Sequence, residues 1–216
     1  ISHAGGELTT TLPTIKITAS SNLDSTFGVA FTSSQGTISK EQIETRPLSR
    51  PAEVLETIPG VIVTQHSGSG KANQYFLRGF NLDHGTDFAT SFDEQPINMV
   101  SHAHGQGYTD LNFLIPELIE SIQYHKGAVS IDDGAFASAG TAKISSIHSL
   151  DNPYAQITLG NHNLLRFLAV GNLVLSDGEL IGAVENINSD GPWVNPENLS
   201  KQNVFLKYFT GDHNKN

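Results

Sequence analysis

Histidine is the residue type whose placement in this chain suggests chemistry. Nine histidines occur among 216 residues, and four of them fall in three short polar loops. His66 opens a glycine- and serine-rich stretch at 66–73, His84 lies within 81–86, and His102 and His104 lie between Val100 and Tyr108. Neutral imidazole nitrogens bind zinc, copper, nickel or iron, the more readily with carboxylates such as Asp83 and Asp87 at hand. The His102-x-His104 spacing sets both rings on one side if the segment is locally extended. Histidines in polar loops are also commonly solvated or bonded to backbone, so spacing alone leaves both readings open. His3, His125, His148, His162 and His213 form no comparable pattern.

Other chemistries find less support. Ser67, Ser69 and Ser101 stand near histidines, but no G-x-S-x-G elbow is present and adjacency in sequence does not make a triad. Gly68, Gly70 and Lys71 do not fill the frame of a phosphate-binding loop. Cysteine is absent, which removes disulfides, thiolate zinc sites and cysteine nucleophiles. The 12 Lys+Arg against 22 Asp+Glu leave a net charge of -10, which opposes binding to the phosphates of nucleic acid. Apolar residues make up 38% of the chain, enough for a core. No run approaches the ~20 apolar residues of a membrane helix, so a membrane assignment has to rest on strands.

The elements that must position the histidines are legible in outline. Residues 1–36 are rich in Ser, Thr and Gly and predict a mobile arm, with Ala4 a candidate small residue at a signal-peptide cut. Inside it, Thr14-Ile15-Lys16-Ile17-Thr18-Ala19 alternates β-branched and polar residues, a strand whose free edges a partner could extend. Ser39 with Gln42 has the pattern of a capping box. Ser49 then caps a second helix with Pro51 in its first turn, and Pro59-Gly60 ends it before a buried strand Val61-Ile62-Val63. Strands are predicted at 75–78 and at 88–92. Leu111 to Ile122 has a helical apolar period broken at Pro116, which predicts a helix of about two turns and then a strand from Ile122 to Lys126.

From Pro153 onward the pattern becomes one of strands alone, at 154–160, 164–175, 179–188 and 203–210. In the second of these, Leu165, Phe167, Ala169, Leu173 and Leu175 share one face, with Arg166 and Asn172 on the other. That is the alternation of a transmembrane strand, and a soluble antiparallel sheet has it too. Asn188 to Gln202 reads as a long outer connection.

Five segments in this order resemble the plug domain of TonB-dependent outer-membrane receptors. They are S-R-P-A-E-V-L-E-T-I-P-G-V from Ser49, F-L-R-G-F at 76–80, D-E-Q-P-I-N from Asp93, D-L-N-F-L-I-P-E-L-I-E-S-I-Q-Y-H-K-G from Asp110, and A-S-A-G-T-A-K-I ending at Ile144. The resemblance implies an α+β plug domain, a small mixed sheet with short helices, followed by the first antiparallel strands of a transmembrane β-barrel. The implied divisions are an arm over 1–36, a plug over 37–148 and barrel strands over 149–216. Glu94, Lys16, Lys126, Ala128 and Asp133 depart from residues usual in the family.

The resemblance also implies a function. It points to a non-enzymatic receptor in the outer membrane of a Gram-negative bacterium, with the plug inside a lipid-embedded barrel and the N-terminus in the periplasm. Such a receptor takes up a metal chelate, siderophore-iron by family default, or a metal ion, with energy supplied by the periplasmic protein TonB. Thr14, Ile15, Lys16, Ile17, Thr18 and Ala19 would then be the TonB contact. Arg78, Gly79, Phe80, Asp93 and Pro96 would be plug framework. The three loops would form the apex facing the external ligand, so that His66, His84, Gly85, His102, His104 and Tyr108 contact it. The four histidines are the candidate metal ligands; the metal or chelate is cargo and no cofactor is required. Such receptors close about 22 strands, and the 66 residues after Leu150 supply only about four, so the expectation is a fragment or truncated product. The alternative is a soluble periplasmic metal- or ligand-binding module.

Overall fold

The computed structural model describes residues 28–48, 50–66, 68–128 and 130–210. The 14–19 segment, Ala4, Ser49, Ser67, His3 and His213 lie outside the described residues. A six-stranded mixed sheet organises the first part of the chain. In sequence its strands are β1 (Val29–Thr32), β2 (Gln35–Ser39), β6 (Phe88–Phe92), β7 (Gln95–Pro96), β8 (Ile119–Lys126) and β9 (Gly140–Ser146). In space they run β1-β2-β8-β9-β6-β7, with β6 and β9 parallel and the other neighbours antiparallel. The sheet therefore takes in residues 29–36, which the sequence reading had placed in the arm. A smaller sheet holds β3 (Val61–Thr64), β4 (Gln74–Leu77) and β5 (Phe80–Asn81).

The core lies between these sheets and the short helices, where Ile43, Val54, Leu55, Ile58, Tyr75, Leu82, Phe88, Leu111, Leu114, Ile119, Ile122 and Ile144 are buried together. Helix α1 (Lys40–Glu44) starts as expected, since Ser39 Oγ accepts a hydrogen bond from Gln42 N at 3.3 Å. The reciprocal half of the box is not made, because Gln42 Oε1 is buried without a partner. The second helix is a 3-10 helix, Pro51–Thr57, and its N-cap position is Arg50 rather than Ser49. Glu53 reaches back to accept from Arg50 N at 3.0 Å.

Two expectations about these elements need correction. The strand at 61–63 is not buried throughout, because Ile62 points outward while Val61 faces the core. The two-turn helix after Pro116 does not form: a single 3-10 turn, Pro116–Leu118, leads directly into β8 at Ile119. Proline opens that turn at its first position and β-branched Ile119 and Ile122 favour the strand. Arg78 and Gly79, with φ of 53° and 80°, form the exposed two-residue turn of the β4–β5 hairpin, and Arg78 Nη2 donates to Ser34 Oγ at 3.0 Å. The turn at Asp93-Glu94, where the family usually has glycine at the second position, keeps both residues at positive φ, 44° and 67°. That is the conformation of a two-residue type I′ hairpin.

Four long antiparallel strands complete the structure in the order β10 (Tyr154–Leu159), β11 (Leu165–Leu175), β12 (Gly178–Ser189) and β13 (Leu199–Thr210). The register aligns Phe167 with Ile157, and Val184 with Ala169 and Val204. One face is thus apolar and turned away from the plug, with Leu159, Leu165, Leu173, Val204 and Leu206 exposed. The other face packs on the plug, where Leu168, Val170, Ile181 and Ala183 bury against Ile115, Leu118 and Ile147. No helix among the described residues is long and apolar enough to cross a membrane.

Among the described residues, two ion-paired joints bind the four long strands to the rest. In the first, Arg166 donates from Nη1 and Nη2 to the two oxygens of Glu117 at 2.5 and 2.8 Å, and from Nε to Glu185 Oε1 at 2.8 Å. In the second, Asp93 accepts from Ser146 N at 2.8 Å and Ser146 Oγ at 2.6 Å, and lies 3.4 Å from Lys207 Nζ. Burial raises the Asp93 carboxyl pKa, but Ser146 and Lys207 outweigh it and hold the group below the usual carboxylate range. A carboxyl depressed in the folded state adds stability above its unfolded pKa of about 3.9, and that stability is lost as pH falls through the folded value. Thermal stability of the protein should therefore fall below pH ~4, and Asp93→Asn should flatten that part of the pH profile. A profile unchanged by the substitution would show that the joint contributes nothing.

Candidate functional site at the plug apex

The three histidine loops meet at one end of the plug. The His66 and His84 rings lie 5.1 Å apart between centroids, His84 and His104 4.4 Å, and His102 stacks on Tyr108 at 4.0 Å with 13° between planes. His84 is the centre of the group, also 5.3 Å from the Tyr108 ring. Among them His84 alone is fully buried, at 1% exposure; His66 and His104 are exposed and His102 half-buried.

Backbone bonds explain why the loops converge. Leu82 N and Asp83 O pair with Tyr75, at 2.9 Å each, so the 82–87 loop is an extension of the β4–β5 hairpin. Thr109 N donates to His84 O at 2.8 Å and carries the end of the third loop alongside. That third loop is closed at its base by Met99 N donating to Tyr108 O at 2.9 Å and Gly107 N donating to Met99 O at 2.8 Å. Asn98 ties the bases together: its Oδ1 accepts from Thr90 N at 2.7 Å, and its Nδ2 donates to Gly85 O, Phe88 O and Gly107 O at 3.0, 3.0 and 3.2 Å. The Tyr108 hydroxyl accepts from Ala72 N at 3.0 Å, fixing the 66–73 loop to the same frame.

Gly85 and Gly107 permit this closeness. Gly85 has φ of 113°, and a Cβ there would come within 2.5 Å of Thr109 Oγ1. At Gly107, with φ of 80°, a Cβ would lie 2.8 Å from Thr86 Cα and 2.9 Å from the Phe136 ring. The N–H of Gly85 donates to Leu82 O and its carbonyl accepts from Phe88 N and Asn98, so its polar groups serve the frame. Gly107→Ala should cost about 1–3 kcal/mol from the strained backbone alone, read as a fall in thermal midpoint of the protein. An unchanged midpoint would mean that the loops yield freely.

The electrostatics of His84 are unusual for a loop residue. Its Nδ1 lies 2.9 Å from the Asn73 carbonyl oxygen, which can only accept, so Nδ1 carries the proton. Nε2 is then left as a lone pair, and it is buried with no hydrogen-bond partner. Burial lowers the His84 pKa, outweighing the Asn73 carbonyl and Asp83, so the ring stays neutral at neutral pH. Asp83 Oδ1 lies 3.8 Å from this Nε2. Asp83, held at φ 50° between the Tyr75 amide and the Asn81 side chain, offers one carboxylate oxygen within 4.8 Å of donor nitrogens on His84 and His104.

Sequence reasoning anticipated the meeting of His66, His84, His102, His104 and Tyr108. Asp87 stands apart, accepting from the Ser138 hydroxyl. His125 pairs with Asp133 at 3.2 Å, and His148 with Glu120, both away from the apex. Arg78, Gly79, Phe80, Asp93 and Pro96 lie in the two hairpins. Sequence reasoning missed Asn73, Asn98 and Glu197. Glu197 lies in the β12–β13 connection and accepts from Ser69 N at 3.0 Å and Ser69 Oγ at 2.8 Å, bringing that connection onto the His66 loop.

Comparison with known proteins places this architecture. Residues 29–141 match the family model of the TonB-dependent Receptor Plug Domain. Among solved structures, the chain is similar to the copper transporter OprC, at 20% identity and a TM-score of 0.57 over 76% of this chain and 25% of that one. It is also similar to a variant of the ferric enterobactin receptor PfeA from Pseudomonas aeruginosa in complex with enterobactin, at 20% identity and a TM-score of 0.54, covering 74% of this chain and 25% of that one. The siderophore receptor PirA from Acinetobacter baumannii matches at 20% identity and a TM-score of 0.54, over 82% of this chain and 27% of that one. The chain thus spans about a quarter of the length of the structures it matches.

Proposed function

Because the chain belongs to the TonB-dependent receptor family, whose members are receptors and transporters rather than enzymes, we propose that it supplies the plug and first wall strands of an outer-membrane receptor that takes up a metal ion or metal chelate by energy-coupled transport. The observation that carries this reading is the polarity of the molecule. The imidazole group sits at the end of the plug touched by the long 190–198 connection through Glu197, whereas the short turn at 176–177 lies at the other end of the wall. Outer-membrane barrels have short periplasmic turns and longer external loops, so the histidines face outward.

The opposite end suits the energy-transducing partner. Gly28 lines a cleft there with Glu120 and His148, and the His148 ring lies 4.9 Å from Phe209, near the short-turn end of β13. Eight residues of chain separate Ala19 from Gly28, a reach of up to about 30 Å, so the 14–19 segment is within range of a periplasmic protein. The neighbours' copper and siderophore cargoes suggest the same class of ligand here. The proposed divisions are an arm ahead of the β1–β2 hairpin, the plug as far as 148, and wall strands beyond it.

A soluble module fits less well, because the outer face of the four strands exposes Val204 at 81%, Leu159 at 75% and Leu206 at 71% to what would be water. In lipid the same face is satisfied, provided further strands pair the free edges of β10 and β13. Cell fractionation with a binding screen tests the reading. The receptor should partition with outer membranes and bind one or more of Zn(II), Cu(II), Ni(II) or a panel of ferric siderophores saturably. Recovery in the soluble periplasm would overturn it.

A further inference from the structure

We infer that Asp83, His84 and His104 form a coordination site for a bare borderline divalent cation, of the zinc, copper(II) or nickel class, at the plug apex. This rests on the receptor reading and narrows its cargo: the species recognised is the cation itself, through vacant coordination positions, and not a coordinatively saturated ferric chelate.

Two independent observations carry it. First, one donor from each of the three residues lies within 4.8 Å of the others. Bonds of about 2.0–2.1 Å in a tetrahedral site place donors roughly 3.3 Å apart, so the site closes if exposed Asp83 and His104 each turn inward slightly. Second, His84 Nε2 is buried in a residue 1% exposed, lacks a hydrogen-bond partner, and faces Asp83 Oδ1 at 3.8 Å. A buried nitrogen with no partner is costly to keep. Coordination to a cation removes that cost.

The surroundings are those of a ligand already oriented. The Asn73 carbonyl receives the Nδ1 proton and thereby selects the tautomer that presents Nε2, the arrangement that metal-binding histidines share. Asn73 is itself anchored, its Nδ2 donating to Gln65 Oε1 at 3.0 Å and to Thr64 O at 3.3 Å. Two imidazoles and one carboxylate, with no thiolate or thioether, match zinc, copper(II) and nickel; Fe(III) delivered within a siderophore offers no position for them. The fourth position belongs to water, which suits cargo that must leave again; His66, 5.1 Å from His84 between ring centroids, stands at the edge of the group.

Purified full-length receptor in detergent, loaded with Cu(II), should show one tightly held ion whose electron paramagnetic resonance spectrum carries coupling to two imidazole nitrogens. Calorimetry with Zn(II) and Ni(II) should show the same single site. Because His104 is exposed, H104A should fold normally, remove one nitrogen coupling and weaken binding at least about tenfold. D83N should weaken binding without changing the nitrogen count, while His148→Ala, paired with Glu120 away from the apex, should change nothing. Binding with no nitrogen coupling, or binding indifferent to H104A, overturns the inference. If the receptor ignores all three metals yet transports a ferric siderophore, the inference falls and the receptor reading stands. If it binds neither class, the receptor reading falls as well.

Discussion

Deletion of Thr14 to Ala19 should abolish uptake through the receptor while leaving ligand affinity unchanged. The segment alternates β-branched and polar residues, and a strand of that kind gains affinity for a partner through main-chain bonds along its free edge. Gly28, where the described residues begin, lines a cleft with Glu120 and His148 that none of the apex residues shares, so binding does not depend on the segment directly. Accumulation of ligand in whole cells and equilibrium binding to isolated outer membranes separate the two effects. Loss of both together would mean that the deletion unfolds the plug. Unimpaired accumulation would mean that coupling enters the chain elsewhere.

Arg166→Met should destabilise the seating of the plug against the wall by about 3 kcal/mol, the low end of the cost of breaking a buried ion pair. The guanidinium spans the boundary, holding Glu117 of the plug with two bonds and Glu185 of β12 with a third. Removing it strands one carboxylate of the two. Glu185 keeps Lys201 at 3.3 Å and Asn203 at 2.9 Å, but Glu117 loses its principal partner. Burial raises the Glu117 carboxyl pKa and Arg166 more than offsets it, so without Arg166 the group should move toward its protonated form. Hydrogen exchange should show faster opening around 115–118 and 147, where Ile115, Leu118 and Ile147 pack on the wall. The double change Arg166→Met with Glu117→Gln should recover part of the loss, since it removes a stranded charge. Equal destabilisation by single and double variants would contradict the ion-pair account.

The fold was legible where local pattern and tertiary packing agree. Strand 88–92 and the wall strands follow from alternation, and the wall positions differ from expectation mainly at β13, which begins at Leu199 instead of 203. Legibility failed where one signal had two outcomes. Leu114, Ile115, Leu118 and Ile119 have a helical period, yet Pro116 and the β-branched residues give a single 3-10 turn and a strand. The R-G-F order gave no sign that Arg78 and Gly79 form an exposed hairpin turn.

At the apex, residue type and order were enough to predict which histidines meet, because the resemblance supplied the loop geometry. They did not single out His84 as the buried one, since burial depends on Tyr108, His66 and His104 closing over it. Nor could they find Asn73, Asn98 or Glu197. An asparagine that ties two loops to a strand looks like any loop asparagine, and Glu197 meets Ser69 across 128 residues of sequence.

Energy dependence of accumulation tests the central claim most directly. Cells carrying the full receptor would be given Zn(II), Cu(II), Ni(II) and ferric siderophores in turn, with and without a protonophore that collapses the inner-membrane potential. The account predicts that at least one of these ligands still binds the de-energised cells at its full capacity but ceases to accumulate. Accumulation that continues undiminished without the potential would contradict it, because an open pore or passive channel would then account for entry.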